Sequence, residues 1–135
     1  LTDSNDQASH FCLFDQIILR VYIEFFSNCE NPNVGFTLRD KNGVEVLGTN
    51  CVLEKEYLGE QNAGECRILD FKFKNILKQG SYSVAVAVGV SDEYGRYNLQ
   101  TLDWVDNAAV FKSEPDLDCY VHSLVKVPVT ISVYD

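Results

Sequence analysis

The sequence predicts an all-β fold in which antiparallel strands pack as a β-sandwich, and three observations lead to that prediction. Short runs with apolar residues at alternate positions recur along the chain, which is the period of a strand with one buried face. Turn segments rich in Gly, Asn and Pro separate these runs. Helical periodicity is absent apart from a single turn near Asn75 to Lys78.

The first long strand is predicted from Gln16 to Phe26, where apolar and polar residues alternate. Its outward face would carry Arg20, Tyr22 and Glu24. Residues 1–13 begin with a polar stretch and are interpreted as a flexible lead-in or linker. The sandwich domain is therefore expected at residues 14–135.

A β-hairpin at residues 33–50 is the clearest local signal. Apolar residues alternate on both sides of Asp40-Lys41-Asn42-Gly43. The pair Asn-Gly readily adopts the positive φ angles of a tight turn. Two antiparallel strands joined by this turn are therefore expected.

Two further strands are predicted, one from Glu65 to Lys74 and one that starts at Ser81. The second strand has large apolar residues on one face only. Its other face carries the small residues Ser83, Ala85, Ala87 and Gly89. A face of this kind leaves room for a ligand groove, or it lets a second sheet or a partner chain pack closely.

The segment from Ser91 to Asn107 has little periodicity and is rich in aromatic and polar residues, which is typical of a long functional loop at one end of a sandwich. A short strand is predicted after it at residues 108–112. Residues 119–135 are predicted to form the C-terminal strand, because apolar residues alternate from Val121 to Val133. That run is longer than one small sheet needs.

The bulk composition limits the classes of function. With 135 residues, of which 46% are hydrophobic and 23% charged, the chain suits one domain with a sizeable core. No apolar run has the length of a membrane span, and the N-terminus lacks the features of a signal peptide. The formal net charge of −9 would repel nucleic acid and anionic lipid, so neutral ligands are expected. The sequence contains no Met, which suggests a fragment of a longer protein.

The five cysteines are irregularly spaced and include no Cys-x-x-Cys pair. This usage indicates a reducing, cytosolic setting. The alternative is a secreted module with two disulfides and one free thiol.

Motifs for catalysis are missing. There is no Gly-x-x-x-x-Gly-Lys-Ser/Thr loop for nucleotide hydrolysis and no Gly-x-Ser-x-Gly turn for a nucleophile. His10 and Cys12 lack the second ligand pair of a zinc site. Asp103 and Asp106 could act as a glycosidase pair, but acidic pairs in loops are usually solvated. We therefore expect a protein that is not an enzyme and that uses no metal and no cofactor.

Carbohydrate binding needs a flat aromatic face beside side chains that hydrogen-bond to hydroxyl groups. The candidate binding residues are Trp104, Tyr94, Tyr97, Arg96 and Asp103 in the aromatic segment, with Arg20, Tyr22 and His122 from predicted strand faces. Trp104 could equally close the edge of the core, and the residues from strand faces could simply be solvated. Tyr82 is interpreted as a structural tyrosine at a strand entrance.

The sequence resembles the C-terminal carbohydrate-binding domains of Wzt-type proteins, the nucleotide-binding subunits of ABC transporters that export O-antigen polysaccharide. The matching elements cover roughly residues 14–112 and are moderately specific, because related sandwich modules share the Gly-x-Tyr strand entry. They are Val34-Gly35-Phe36, Asp40-Lys41-Asn42-Gly43, Leu47-Gly48-Thr49-Asn50, Leu77 with Gly80-Ser81-Tyr82, and Asp103-Trp104 with Asn107-Ala108-Ala109-Val110-Phe111.

The resemblance implies an immunoglobulin-like β-sandwich that recognises the end of a polysaccharide before export. It also implies a homodimer in which the C-terminal strand is exchanged between protomers. The partners would be the polysaccharide and a transmembrane permease, the latter through an ATPase domain missing from this chain. The resemblance also implies a cytoplasmic protein at the inner face of the bacterial inner membrane, as part of a transporter. Nucleic acid is not expected as a partner. Two alternatives stay open, a structural or dimerisation module and a secreted Ig-like adhesion domain.

Overall fold

The computed structural model describes residues 2–3, 6–7, 9–115, 118 and 120–134, with side chains from residue 9 onward. Over these residues the chain consists of strands and connecting turns, without a helix. The strands are β1 (Thr2–Asp3), β2 (Asp6–Gln7), β3 (His10–Phe11), β4 (Gln16–Glu24), β5 (Asn33–Asp40), β6 (Glu45–Asn50), β7 (Cys66–Lys74), β8 (Gly80–Ser91) and β9 (Asn98–Ser113).

The strands form two sheets that enclose one core. One sheet has the strand order β2-β1-β4-β7, and the other has the order β3-β9-β8-β5-β6. Paired strands are antiparallel except for β3 and β9, which are parallel. Between the sheets, Ile17 and Leu19 of β4 join Phe36 of β5 and Val84 of β8 in the core. The predicted all-β sandwich is confirmed.

The predicted hairpin is present as β5 and β6. The Asp40 carboxylate oxygen Oδ1 accepts the backbone N–H groups of Asn42 and Val44 at 2.8 and 3.0 Å. Gly43 has a φ of 79°, where a side chain would be strained. The turn chemistry therefore fixes the register of the two strands.

The other predicted strands of the core are present as β4, β7 and β8. Tyr82 near the start of β8 is structural, as interpreted from the sequence: it is buried, and its hydroxyl donates to the carbonyl oxygen of Lys78 at 2.6 Å. Its ring stacks on Phe111 of β9 with the centroids 5.7 Å apart. Burial raises the pKa of the Tyr82 hydroxyl, which remains a neutral donor at neutral pH.

The prediction of one long loop from Ser91 to Asn107 is wrong in its extent. Only residues 92–97 form the turn, and residues 98–107 belong to β9, which pairs with β8. Alternation does not reveal this part of β9 because residues 98–108 are exposed on both faces, so neither face has to be apolar. Register shifts between β8 and β9 disturb the period further.

The prediction of a C-terminal strand at residues 119–135 is not met within the single chain. Leu77 and Val125 form an isolated antiparallel bridge, flanked by backbone hydrogen bonds of Lys78 with Leu124 and of Lys126 with Ile76. Residues 127–134 are exposed and lie in no strand. Residues 119 and 135 lie outside the described residues. Val121 at the start of the alternating apolar run is thus buried, whereas the part at residues 127–134 covers no surface among the described residues.

The described part of the predicted lead-in, residues 9–13, contains core residues. Phe11 is buried on β3, and its ring meets that of Phe111 edge-on with the centroids 5.8 Å apart. The buried side chain of Asn75 donates through Nδ2 to the carbonyl oxygen of Cys12 at 3.0 Å and to Ser113 Oγ at 2.9 Å. These bonds tie the segment around β3 to the end of β9.

The four cysteines whose side chains are described, Cys12, Cys29, Cys51 and Cys66, are free thiols. Burial raises the pKa of the Cys51 and Cys29 thiols. The disulfides required by the secreted alternative are therefore not formed among these four residues. Cys119 lies outside the described residues.

Candidate functional site

A shallow groove crosses the outer face of the five-stranded sheet. One row of paired residues spans four strands, from Trp104 on β9 through Ala87 on β8 and Gly35 on β5 to Asn50 on β6. Since neighbouring strands lie about 4.8 Å apart, the backbones at the two ends of this row are about 14 Å apart. Small residues in the middle and larger ones at the ends make a trough with a volume of about 210 Å³.

The floor of the groove is formed by backbone and very small side chains. On β8 the large residue Val84 faces the core, whereas Ala85, Ala87 and Gly89 face the groove. A methyl group added at Gly35 would lie 2.8 Å from the carbonyl oxygen of Thr49, so this position accepts only glycine without a shift of the strands. The floor therefore offers a flat surface on which a ring could lie.

Trp104 forms one wall of the groove. Its exposed fraction is 47%, so it is not the plug of the core that the sequence left as an alternative. The Arg39 guanidinium lies 5.8 Å from the centre of its ring. Arg39 in turn pairs with Glu45 at 3.2 Å and with Asp106 at 3.1 Å. These contacts orient an indole whose surface is only half covered.

The turn at residues 92–97 forms the other wall. The Asp92 carboxylate oxygen Oδ1 accepts the backbone N–H groups of Arg96 at 2.7 Å and Tyr97 at 3.1 Å. These hydrogen bonds, led by the one from Tyr97, lower the pKa of Asp92. Asn50 on β6 donates through Nδ2 to the carbonyl oxygen of Gly95 at 3.0 Å. The turn is thus held over the end of the row of paired residues.

Arg96 lies on this turn between two tyrosine rings. Its guanidinium carbon is 4.6 Å from the centre of the Tyr94 ring and 5.6 Å from that of Tyr97. Cation–π contact of this kind holds a guanidinium in place while leaving its edge free to donate hydrogen bonds. Trp104 and Arg96 line one groove, and Tyr94 and Tyr97 support Arg96 from the side.

The remaining predicted site residues lie elsewhere. Asp103 is paired with Val88 and faces away from the groove. Arg20 is on the four-stranded sheet, where it forms a two-point ion pair with Asp70 at 2.7 and 2.9 Å. That pair lowers the pKa of Asp70 and raises the pKa of Arg20.

Two further candidates are also apart from the groove. Tyr22 lies on the four-stranded sheet opposite Ile68 and is exposed. His122 is near the C-terminus, where its ring stacks on that of Tyr120 with the centroids 6.3 Å apart. The sequence candidates therefore divide into one cluster around Arg96 and Trp104 and several separate surface residues.

Several polar residues that line the groove were not among the candidates predicted from the sequence. They are Asn33, Thr37, Thr49, Asn50, Ser91 and Thr101. Several of them are paired across strands with a small residue on the outward face, as Asn33 is with Gly89. This pairing is the signal that could have identified them. That signal needs the strand register, which alternation within one strand does not provide.

A second opening, which we call the side crevice, lies between β4 and the pair β8 and β9. Its volume is about 790 Å³, and apolar residues of all three strands line it. They include Val21, Ile23, Val86, Leu102 and Val105. On the side of β4 away from β7, the described pairing is limited to Thr2 with Ile18, so no described residue pairs with this edge of β4 beyond Ile18.

The described residues include no helix that is long and apolar enough to cross a bilayer. A family profile described as the Wzt C-terminal domain matches residues 1–127. Among solved structures, the fold is similar to the crystal structure of the C-terminal domain of Wzt, with a TM-score of 0.78 and 14% sequence identity. That alignment covers 91% of this chain and 72% of the other. The comparison with curated protein sequences gives no match.

Proposed function

The chain belongs to the Wzt C-terminal domain family, a family of O-antigen transporter domains, and we propose that its groove binds the polysaccharide that the transporter exports. The domain acts without catalysis of its own. It recognises the end of the polysaccharide in the cytoplasm, at the inner face of the membrane. An ATPase domain outside this sequence links it to the transmembrane permease.

The observation that carries this proposal is the row of paired residues from Trp104 to Asn50. Carbohydrate binding asks for an aromatic face against the C–H bonds of a sugar ring, with hydrogen-bonding groups around the ring edge. The groove supplies the half-exposed indole of Trp104, a flat floor at Ala87 and Gly35, and amide and hydroxyl groups along its lining. A ring lying on this floor could contact both walls.

The test is isothermal titration calorimetry with the polysaccharide of the source organism. The Ala87→Leu variant places a bulky side chain on the groove floor and should weaken binding at least about tenfold, since a well-packed contact of about 1.4 kcal/mol or more would be blocked. The matched control is Ser83→Leu, on the same face of β8 but outside the groove lining. Absence of binding by the unchanged protein, or full binding by Ala87→Leu, would contradict the proposal.

We also propose that the domain is a homodimer in which each chain lends residues 127–134 to its partner. Val127, Val129, Ile131 and Val133 alternate on this segment and are all exposed. Solvating such a row of apolar side chains is unfavourable, and an extended segment with one apolar face can complete a sheet edge. The described residues of the same chain give the segment no surface to cover.

The side crevice of the partner has the features that the segment requires. Among the described residues no strand pairs with the edge of β4 beyond Ile18, and the crevice beneath it is lined by valine, isoleucine and leucine side chains. An added strand would satisfy the backbone of β4 and bury its own apolar face at once. This arrangement explains why β9 leaves Val105 nearly half exposed on the inner side of the sheet.

Two valines of β9 offer a matched test of the dimer. Val105 is paired with Val86 and lines the crevice, whereas Val110 is paired with Ser83 on the outer face; both are exposed in one chain. Val105→Asp should yield monomers in light-scattering measurements, and Val110→Asp should stay dimeric. A monomeric unchanged protein, or a dimeric Val105→Asp, would argue against the exchange.

Two deletions extend this test. Deletion of residues 127–135 should leave a monomer with an open crevice. Deletion of residues 121–135 also removes the buried Val121 and the contact at Leu77, so it should give an unfolded or aggregating chain. A soluble monomer with native circular dichroism after the longer deletion would contradict this expectation.

A further inference from the structure

We propose that the groove selects a glycan that carries an acidic group, a carboxylate or a phosphate, and that Arg96 pairs with this group. The inference rests on the proposed glycan-binding function and names the chemical class that the same groove prefers. It also differs from the expectation of a neutral ligand that follows from the net charge of the whole chain.

The charge around the groove is distributed differently from the charge of the whole chain. The chain has 20 acidic residues and a formal net charge of −9, yet none of the described residues that line the groove is Asp or Glu. The one charged residue on that lining is Arg96. A net negative protein repels anions at a distance, so an acidic ligand needs a local cation where it docks. Arg96 provides this local cation in the groove.

Arg96 differs in its ion pairs from Arg39, the other arginine near the groove. Arg39 contacts two carboxylates through its terminal nitrogens, Glu45 at 3.2 Å and Asp106 at 3.1 Å, so its charge is already compensated. Arg96 has one ion pair among the described residues, from Nε to Asp92 Oδ2 at 3.6 Å, which is longer than a charge-assisted hydrogen bond.

Arg96 is held in place before any ligand arrives. The rings of Tyr94 and Tyr97 lie against its guanidinium, and Asp92 fixes the backbone of the turn. Asn50 holds the turn to β6 through Gly95. A planar guanidinium with little freedom left to lose suits two-point pairing with a carboxylate or phosphate.

The experiment compares three forms of the source organism's polysaccharide in titration calorimetry: the native form, a form with its carboxyl groups reduced to alcohols, and a form dephosphorylated with aqueous hydrofluoric acid. One treatment should weaken binding roughly 10- to 100-fold, because it removes the charged acceptor that pairs with the Arg96 guanidinium. Loss on carboxyl reduction identifies a carboxylate, and loss on dephosphorylation identifies a phosphate.

Variants show whether Arg96 is the group responsible. Arg96→Gln should weaken binding of the native polysaccharide by the same factor and make it insensitive to the treatment. Arg96→Lys should keep part of the affinity, because it keeps the charge without the planar fork. The matched control is Arg67→Gln, which removes an exposed arginine paired with Glu65 outside the groove and should bind as the unchanged protein does.

The outcomes separate this inference from the proposed function. If no form of the polysaccharide binds, the glycan-binding function itself is wrong. If all three forms bind equally, or if Arg96→Gln binds as tightly as the unchanged protein, the groove reads hydroxyl groups alone and the acidic-ligand inference is overturned while glycan binding stands.

Discussion

β5 and β9 belong to the same sheet but differ in what their side chains do. β5 lies between β6 and β8, and its residues Val34, Phe36 and Leu38 are buried in the core. β9 is exposed on both faces over residues 98–108. The difference teaches that burial, more than strand pairing, imposes an alternating pattern on a sequence. The strand with the weakest pattern borders both the proposed ligand groove and the side crevice.

The largest effect should come from a truncation in β5. Phe36→Ala removes a ring that packs 5.0 Å from Phe71 and 5.4 Å from Phe73 between centroids, and it should cost about 3–5 kcal/mol of unfolding free energy. The counterpart in β9 is Leu99→Ala, which should cost less than about 0.5 kcal/mol because Leu99 is exposed. Urea unfolding measures both values. Similar losses in the two variants would remove the contrast between the strands.

A smaller effect is expected at the groove floor. Gly35→Ala would place a methyl group 2.8 Å from both the Thr49 carbonyl oxygen and Asn50 Cβ, so β5 and β6 would have to shift apart. The expected cost is about 1–3 kcal/mol, as for overpacking. Ser83→Ala on the neighbouring strand serves as the control and should change the free energy of unfolding little. If Gly35→Ala were as stable as the unchanged protein, close strand approach would not explain the glycine.

The smallest effect concerns pH and the turn before β9. The pKa of Asp92 is lowered in the folded protein, so its contribution to stability is present above the ordinary Asp value of about 4 and is lost as pH falls through the lowered folded pKa. Below that range the N–H groups of Arg96 and Tyr97 should lose protection, which means that they exchange faster relative to their intrinsic rates at the same pH. Amide exchange by nuclear magnetic resonance checks this, with Asp92→Asn as the variant in which the protection should no longer depend on pH. Exchange rates that follow intrinsic chemistry alone over this pH range would contradict the role of Asp92.

The sequence was sufficient where side chains face a core. The hairpin turn at Asp40-Lys41-Asn42-Gly43 and the alternation in β4, β5 and β8 predicted these elements, and Tyr82 has the structural position expected of it. Each of these signals is local: a turn residue, a period of two, or a residue beside a strand start. Signals from residues close together in the sequence were therefore sufficient to predict most strands of the sandwich.

The rest depended on contacts between residues far apart in the chain. The row from Trp104 through Ala87 and Gly35 to Asn50 exists only once four strands are in register, so the sequence identified Trp104 but not Asn50. The sequence grouped Arg96 with Tyr94 and Tyr97 in one segment, and the three side chains are in contact because they share one short turn. Arg20 and His122 were predicted as site residues but lie apart from this cluster. The prediction failed to separate them because no local signal shows which sheet face a residue joins.

The most direct test of the account is a paired measurement on Trp104→Ala. The account predicts a change in unfolding free energy below about 1 kcal/mol, because the indole is half exposed, together with polysaccharide binding weakened at least about tenfold. Tyr57→Ala, which removes an exposed aromatic residue outside the groove, should change neither value. A destabilisation of several kcal/mol would make Trp104 a packing residue, and binding equal to that of the unchanged protein would place the glycan elsewhere; either result would contradict the account.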